Sequence, residues 1–176
     1  MQINPNAKFY DDEDVDGVRL LTSLEQVNEI RKLLGRNIKG PDGLFAAMWP
    51  VDMAIDHLQK VLENPYFVAP RPHGHRFMLY IDTSGQIFME NNSRNVFQLE
   101  DECKIRFLSR DGRAITDTVI DGVLTRTKAN PTNGGNIEND NKHKLTFVII
   151  DAARYNGRDL TKLSVTDRME CVKVSR

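Results

Sequence analysis

Apolar positions along the chain change their period once, and that change divides the sequence into helical and extended parts. Leu24, Val27, Ile30, Leu33 and Leu34 recur every three or four residues, which predicts a helix with one apolar stripe. Ser23 stands before it with Gln26 three residues on, as in a capping box, and Gly35 closes it. Ile55, Leu58, Val61 and Leu62 predict a second amphipathic helix, stopped by Asn64-Pro65. From there the pattern is extended. Residues 66–69, 76–82, 86–90, 95–99, 104–108, 115–125 and 145–152 read as strands, and the last, being the most apolar, is expected at the centre of the sheet. Thr83-Ser84-Gly85 is a hairpin turn, and Asn156-Gly157 is another turn. Ser164 caps a final helix with Asp167 at the capping-box position, and Val165, Met169 and Val172 are its candidate buried face. The expected fold class is α+β, mainly antiparallel sheet flanked by helices at the start and end.

The polar segments bound this domain. Residues 1–17, with the run Asp11-Asp12-Glu13-Asp14 and Asp16, read as a solvated acidic arm. Residues 18–176 are expected to form one domain, interrupted at 129–142 by a mobile loop almost without apolar residues. A hydrophobic content of 40% and a charged content of 28% are those of an ordinary globular chain. The net charge of −1 gives no global field for nucleic acid, so an RNA site must be a local patch. Arg106, Arg110 and Arg113 form the candidate phosphate-binding patch, beside the polar turn 109–113. Two cysteines, Cys103 and Cys171, are too few for a disulfide framework or a zinc site, and a reduced intracellular compartment is the default. No apolar run reaches the roughly 18 residues of a membrane helix, and residues 1–10 hold no signal-peptide core. His73 and His75, with His57 and His143 elsewhere, lack the spaced partners of a zinc site. Trp49 and Tyr66 are candidates for base stacking, although aromatic residues more often serve a core.

The stretch Pro70-Arg71-Pro72-His73-Gly74-His75-Arg76 lies between two apolar runs. It resembles the Lys-x-Asp-Gly-x-Arg loop of the covalent nucleotidyltransferases, with Gly74 and Arg76 kept, Arg71 in the lysine position and His73 in that of the aspartate. Further landmarks follow in order. Gly40-Pro41-Asp42-Gly43 precedes the second helix, and Asn64-Pro65-Tyr66-Phe67-Val68 leads into the loop. Phe88-Met89 to Asn95-Val96-Phe97, Asp117-Thr118-Val119-Ile120-Asp121-Gly122, Phe147-Val148-Ile149-Ile150-Asp151 and Tyr155-Asn156-Gly157 come next, with Arg168 in the following helix. Together they resemble the nucleotide-binding domain of eukaryotic mRNA guanylyltransferases. A guanylyltransferase-like domain of this kind is also carried by cap-specific 2′-O-ribose methyltransferases.

That resemblance implies a nucleotidyltransferase-like domain without its OB-fold partner, and it implies what the chemistry lacks. The family's lysine attacks the α-phosphate of GTP as a neutral amine. Arginine stays protonated, with a pKa of about 12.5 or more, and its lone pairs are delocalised. Arg71 can therefore grip a phosphate but not become nucleotidylated, and no catalytic residue is assigned. Asn91-Asn92 stands for the family's Asp-Arg pair, and Val123 for an acidic residue near the metal. The resemblance leaves Arg71, His73, Gly74, Arg76, Asp121 and Asp151 as nucleotide- or cap-binding candidates. His75 is expected at the cleft mouth with them. No cofactor is implied, and Mg²⁺ only with residual nucleotide binding. Capped RNA or a guanine nucleotide, and RNA-processing proteins or the tail of RNA polymerase II, are the implied partners, in the nucleus. The expected role is a catalytically inactive binding or scaffolding module. The alternatives are a subunit completed by a partner chain, with a lysine supplied in trans or Lys60 as nucleophile, and a protein–protein module.

Overall fold

The computed structural model describes residues 3–36, 38, 53–66, 68–70, 72–100, 112–128 and 143–172. Its centre is one seven-stranded antiparallel sheet in the order β1-β4-β3-β2-β5-β6-β7. The strands are β1 (Val18–Leu20), β2 (His75–Ile81), β3 (Ile87–Asn91), β4 (Val96–Leu99), β5 (Thr118–Lys128), β6 (His143–Tyr155) and β7 (Arg158–Asp159). Three helices accompany them among the described residues: α1 (Leu24–Gly35), α2 (Ile55–Glu63) and α3 (Val165–Cys171). The α+β expectation holds in this coarse form.

The central strand is β2, and its sequence shows why. His-Arg-Phe-Met-Leu-Tyr-Ile is buried continuously from Phe77 to Ile81, because both faces of the sheet are covered here. Side chains alternate between the faces. Phe77, Leu79 and Ile81 join Met89, Phe97, Ile120 and Leu124 in one core. Met78 and Tyr80 join Phe88, Val96 and Val119 in a second, against Val27, Ile30 and Leu34 of α1. The Ser23 side chain accepts a hydrogen bond from the Gln26 amide, so α1 starts where its cap predicts. The Ser164 hydroxyl caps α3 in the same way from the Asp167 amide. Met169 of α3 and Val172, its C-cap residue, pack with Ala152 and Leu160.

Several expectations are corrected. The strand 145–152 is not central: β6 is sixth of seven and lies between β5 and the two-residue β7. Its apolar character comes from packing under α3 and the first core. Residues 66 and 68–69 are not strand, and Tyr66 and Val68 are exposed. The second helix forms, but none of its residues is buried, so its apolar stripe has no described cover. Within residues 3–17, Asp11, Asp12, Glu13, Asp14 and Asp16 are exposed. Phe9 and Tyr10 are buried, and the Phe9 ring lies 5.1 Å from Phe77 and 5.2 Å from Phe97. The expected strand at 104–108, the loop at 129–142, the segment 40–43, Cys103 and Trp49 lie outside the described residues.

Candidate functional site

The sheet register gathers the polar chemistry into one row on the α1 side. Met78 pairs with Glu90 on one flank and with Asp121 on the other, and Asp121 pairs with Asp151. Directly opposed residues share a face, so Glu90, Asp121 and Asp151 stand in line across β3, β2, β5 and β6. The ladder between β5 and β6 shifts register on each side of Ile120-Asp121. Such irregularities re-aim side chains locally.

Each carboxylate in the row is held by arginine. Arg76 donates from Nε to Asp121 Oδ1 at 3.0 Å and from Nη2 to Oδ2. Arg168 of α3 grips Asp151 in the same two-pronged way, at 2.7 and 2.8 Å, and donates again to the Leu163 carbonyl. Arg31 of α1 donates to Glu90 at 2.9 Å, and the Arg94 guanidinium lies 3.3 Å from the same oxygen. Arg94 sits in a left-handed turn at φ 68°, which the Asn91 side chain closes by accepting from the Asn95 amide. Burial pushes the Asp121 carboxyl above its ordinary pKa; Arg76 opposes that shift and Asp151 adds to it. Burial likewise raises Glu90, against the pull of Arg94 and Arg31. A further ion pair anchors α1 to the sheet. Arg154, fully buried, lies 2.9 Å from Asp117, donates to the carbonyls of Leu33 and Arg36 and sits over the Tyr80 ring. It thereby satisfies carbonyls at the C-terminal end of α1.

The loop signature is split by the pleat. Arg76 turns to the row, whereas the preceding His75 turns to the other face. There its Nε2 lies 2.7 Å from Asp11 and its ring meets Tyr10 edge-on at 4.9 Å. His75 is thus not at the cleft mouth with Arg76, because alternation forbids adjacent strand residues from sharing a face. His73 is exposed, and no contact brings it to the row. Gly74 has a structural reason to be glycine. Its φ is +155°, and a Cβ there would lie 2.2 Å from the Leu124 carbonyl oxygen. Gly122 is similarly confined, since a Cβ would meet the Phe147 ring at 2.4 Å. Arg113 is exposed; Arg71, Arg106 and Arg110 lie outside the described residues.

The row was only partly visible in the sequence. Asp121, Asp151 and Arg76 were candidates, but Glu90, Arg31 and Arg94 were not. A carboxylate at the end of Ile-Phe-Met-Glu was the available signal, because a charge in a doubly buried strand requires a partner.

These donors do not fit a divalent cation. Asp121 and Asp151 are each engaged by a bidentate guanidinium, and Val123, buried in the same face of β5, offers no oxygen. Among the described residues, no three His, Cys, Asp or Glu side chains converge. The arrangement can instead hold an anion wherever a phosphate oxygen competes with a carboxylate for an arginine.

Residues 10–175 match the sequence profile of the mRNA capping enzyme, catalytic domain. The chain is 22% identical over 169 residues to an mRNA-capping enzyme of Danio rerio, covering 95% of this chain and 26% of that protein. It is 26% identical over 152 residues to an mRNA-capping enzyme subunit alpha of Yarrowia lipolytica, covering 78% of this chain and 35% of the relative. An mRNA-capping enzyme of Caenorhabditis elegans is 20% identical over 168 residues, 96% of this chain and 25% of that one. The chain thus spans about a quarter to a third of the length of these relatives. No helix among the described residues is long and apolar enough to cross a membrane.

Proposed function

This chain belongs to the family of mRNA capping enzyme catalytic domains, and from that premise we propose that it serves capping as a guanylyltransferase-like module that binds without forming a covalent nucleotide intermediate. The observation that carries the reading is the neutralised row: Asp121 and Asp151 face each other across β5 and β6, each already held by its own arginine. Such a row recognises an anion by exchange, a phosphate displacing a carboxylate from Arg76 or Arg168. Arg71 at the lysine position supports the same conclusion, because a guanidinium cannot present the neutral nitrogen lone pair that attack on phosphorus needs. The ligand class is a guanine nucleotide or the capped end of an RNA. The setting is nuclear RNA processing, with capping proteins or RNA polymerase II as neighbours.

The test uses GTP labelled at the α-phosphate, with Mg²⁺ or Mn²⁺, read twice on one sample. Reversible binding is expected before denaturation, with no label on the protein after it. Arg71→Ala or Arg76→Ala is expected to weaken that binding at least tenfold. Label surviving denaturation would overturn the reading and direct a search for a nucleophile, Lys60 or a partner's lysine first. Absence of both signals would move the role to protein partners alone.

A further inference from the structure

Along the outer flank of α1 runs a cavity of about 240 Å³ that shares no residue with the arginine–carboxylate row. Its floor is apolar: Ile30 and Leu33 of α1 and Phe88 of β3. Ile30 and Phe88 belong to the α1 side of the core, with Leu33 packed at its edge. Two residues that carry carboxylates line it, Glu29 on the helix and Asp82 at the β2–β3 turn. Glutamine amides complete the rim from three elements, Gln26 on α1, Gln86 beside β3 and Gln98 on β4. No lysine or arginine lines it. Arg19, which reaches Gln98 from β1, is itself paired with Glu100 at 2.9 Å.

The Asp82 carboxylate is fixed in place. Its Oδ1 accepts from the Ser84 amide, the Ser84 hydroxyl and the Gln86 amide, each at 2.8 Å. Glu29 is exposed, and among the described residues it has no ion-pair partner. The cavity thus combines an apolar floor, one rigid and one unengaged carboxylate, and amides that both donate and accept. From Gln26 to Leu33 the helix advances about 10 Å, which is the span of about three residues of extended chain.

We propose that this groove is a docking site for an extended basic peptide, with an arginine or lysine between the two carboxylates and an adjacent apolar side chain on the floor. Charge complementarity selects this occupant. An acidic peptide would face Glu29 and Asp82 with nothing in the lining to neutralise it. A purely apolar segment would leave the Glu29 carboxylate beside it without compensation. A cationic side chain with an aliphatic stem satisfies both requirements at once. The surface is independent of the nucleotide reading and stands whether or not the row binds phosphate.

The experiment is fluorescence anisotropy of the whole chain with a labelled hexapeptide of alternating arginine and leucine, and with its glutamate–leucine counterpart. The basic peptide is expected to bind at least tenfold more tightly. Glu29→Lys is expected to weaken it at least fivefold. Asp12→Lys makes the same charge change in the N-terminal segment and is expected to alter binding less than twofold. Both variants change exposed side chains, so folding should survive. Amide shifts on adding the basic peptide should concentrate in residues 26–33 and 82–88. Equal weakening by the two variants, shifts elsewhere, or no preference for the basic peptide would overturn the proposal.

Discussion

Phe77 and Arg76 are neighbours on β2, yet their surroundings have almost nothing in common. Phe77 is fully buried against Phe9 and Phe97, in a face built of aliphatic and aromatic side chains. Arg76 turns to the opposite face, where Glu90, Asp121 and Asp151 stand in line and each is held by arginine. One face satisfies burial by having little polar to satisfy. The other adds arginine–carboxylate pairs to the apolar core under α1, a costlier arrangement that ordinary core packing does not need. The three carboxylates in register stand beside the second apolar core of Met78, Tyr80, Phe88 and Val119, so this face carries both kinds of packing where the other carries one.

The largest effects should come from breaking each face at β2. Phe77→Ala empties the aromatic cluster and is expected to cost about 3–5 kcal/mol. The loss should vary little with pH, because no charge is involved. Urea denaturation at several pH values would check both statements. Arg76→Met should cost about 3 kcal/mol at neutral pH, because it leaves the Asp121 carboxylate buried without its two-pronged partner. Here pH matters, and the sign can be worked out. Burial already holds the Asp121 carboxyl above its ordinary pKa, so its protonated form is favoured in the fold. The stability tied to that proton is present below the ordinary carboxylate range, about pH 4, and is lost as pH rises through the raised pKa. Removing Arg76 raises the carboxyl further. The deficit of Arg76→Met relative to the native chain should therefore shrink on acidification toward about pH 4. A pH-independent deficit would mean that Arg76 acts through packing alone, and the contrast between the faces would weaken.

Gly74→Ala is expected to be intermediate, at about 1–3 kcal/mol, because the added methyl meets backbone rather than a side chain that can turn away. It tests the hinge between the two faces, since Gly74 precedes the residues that diverge. If the β2–β5 ladder opens to admit the methyl, hydrogen exchange should accelerate first at His75 and Arg76, and phosphate binding at Arg76 should fall with it.

How much of this was legible beforehand follows from the length of each signal. The periodic stripe and the Ser23 cap of α1 identified it and, apart from the exposed Leu24, its packed face, and Thr83-Ser84-Gly85 read as a hairpin turn because the turn residues are local. The row was half visible, since Asp121 and Asp151 stand in recognisable stretches. Their alignment depends on the β5–β6 register and its irregularities, which no local pattern encodes. Glu90 looked like a strand-end residue because its partners come from α1 and from the turn at Arg94. The burial of Phe9 and Tyr10 was hidden for the opposite reason. The density of aspartates masked Phe9 and Tyr10, whose partners lie more than sixty residues away. Helix α2 shows the limit of periodicity, which identifies an apolar face without saying what covers it.

The smallest predicted effect concerns the place where the acidic segment reaches the sheet. Asp11 meets His75 at 2.7 Å, and Glu13 meets Arg126 at 2.6 Å, with the Arg126 guanidinium over the Tyr10 ring. Both side chains of the Asp11–His75 pair are about half exposed, so water and salt compete for them. Asp11→Asn should cost less than about 1 kcal/mol. The cost should fall further as ionic strength rises and the Debye length shortens. Tyr10→Ala should be clearly worse than Asp11→Asn, because it removes a buried ring rather than an exposed charge. Thermal unfolding of both variants at low and high salt would decide the matter. If Asp11→Asn proved as damaging as Tyr10→Ala, charge would be holding the apolar face as well, and the division between the two faces would not stand.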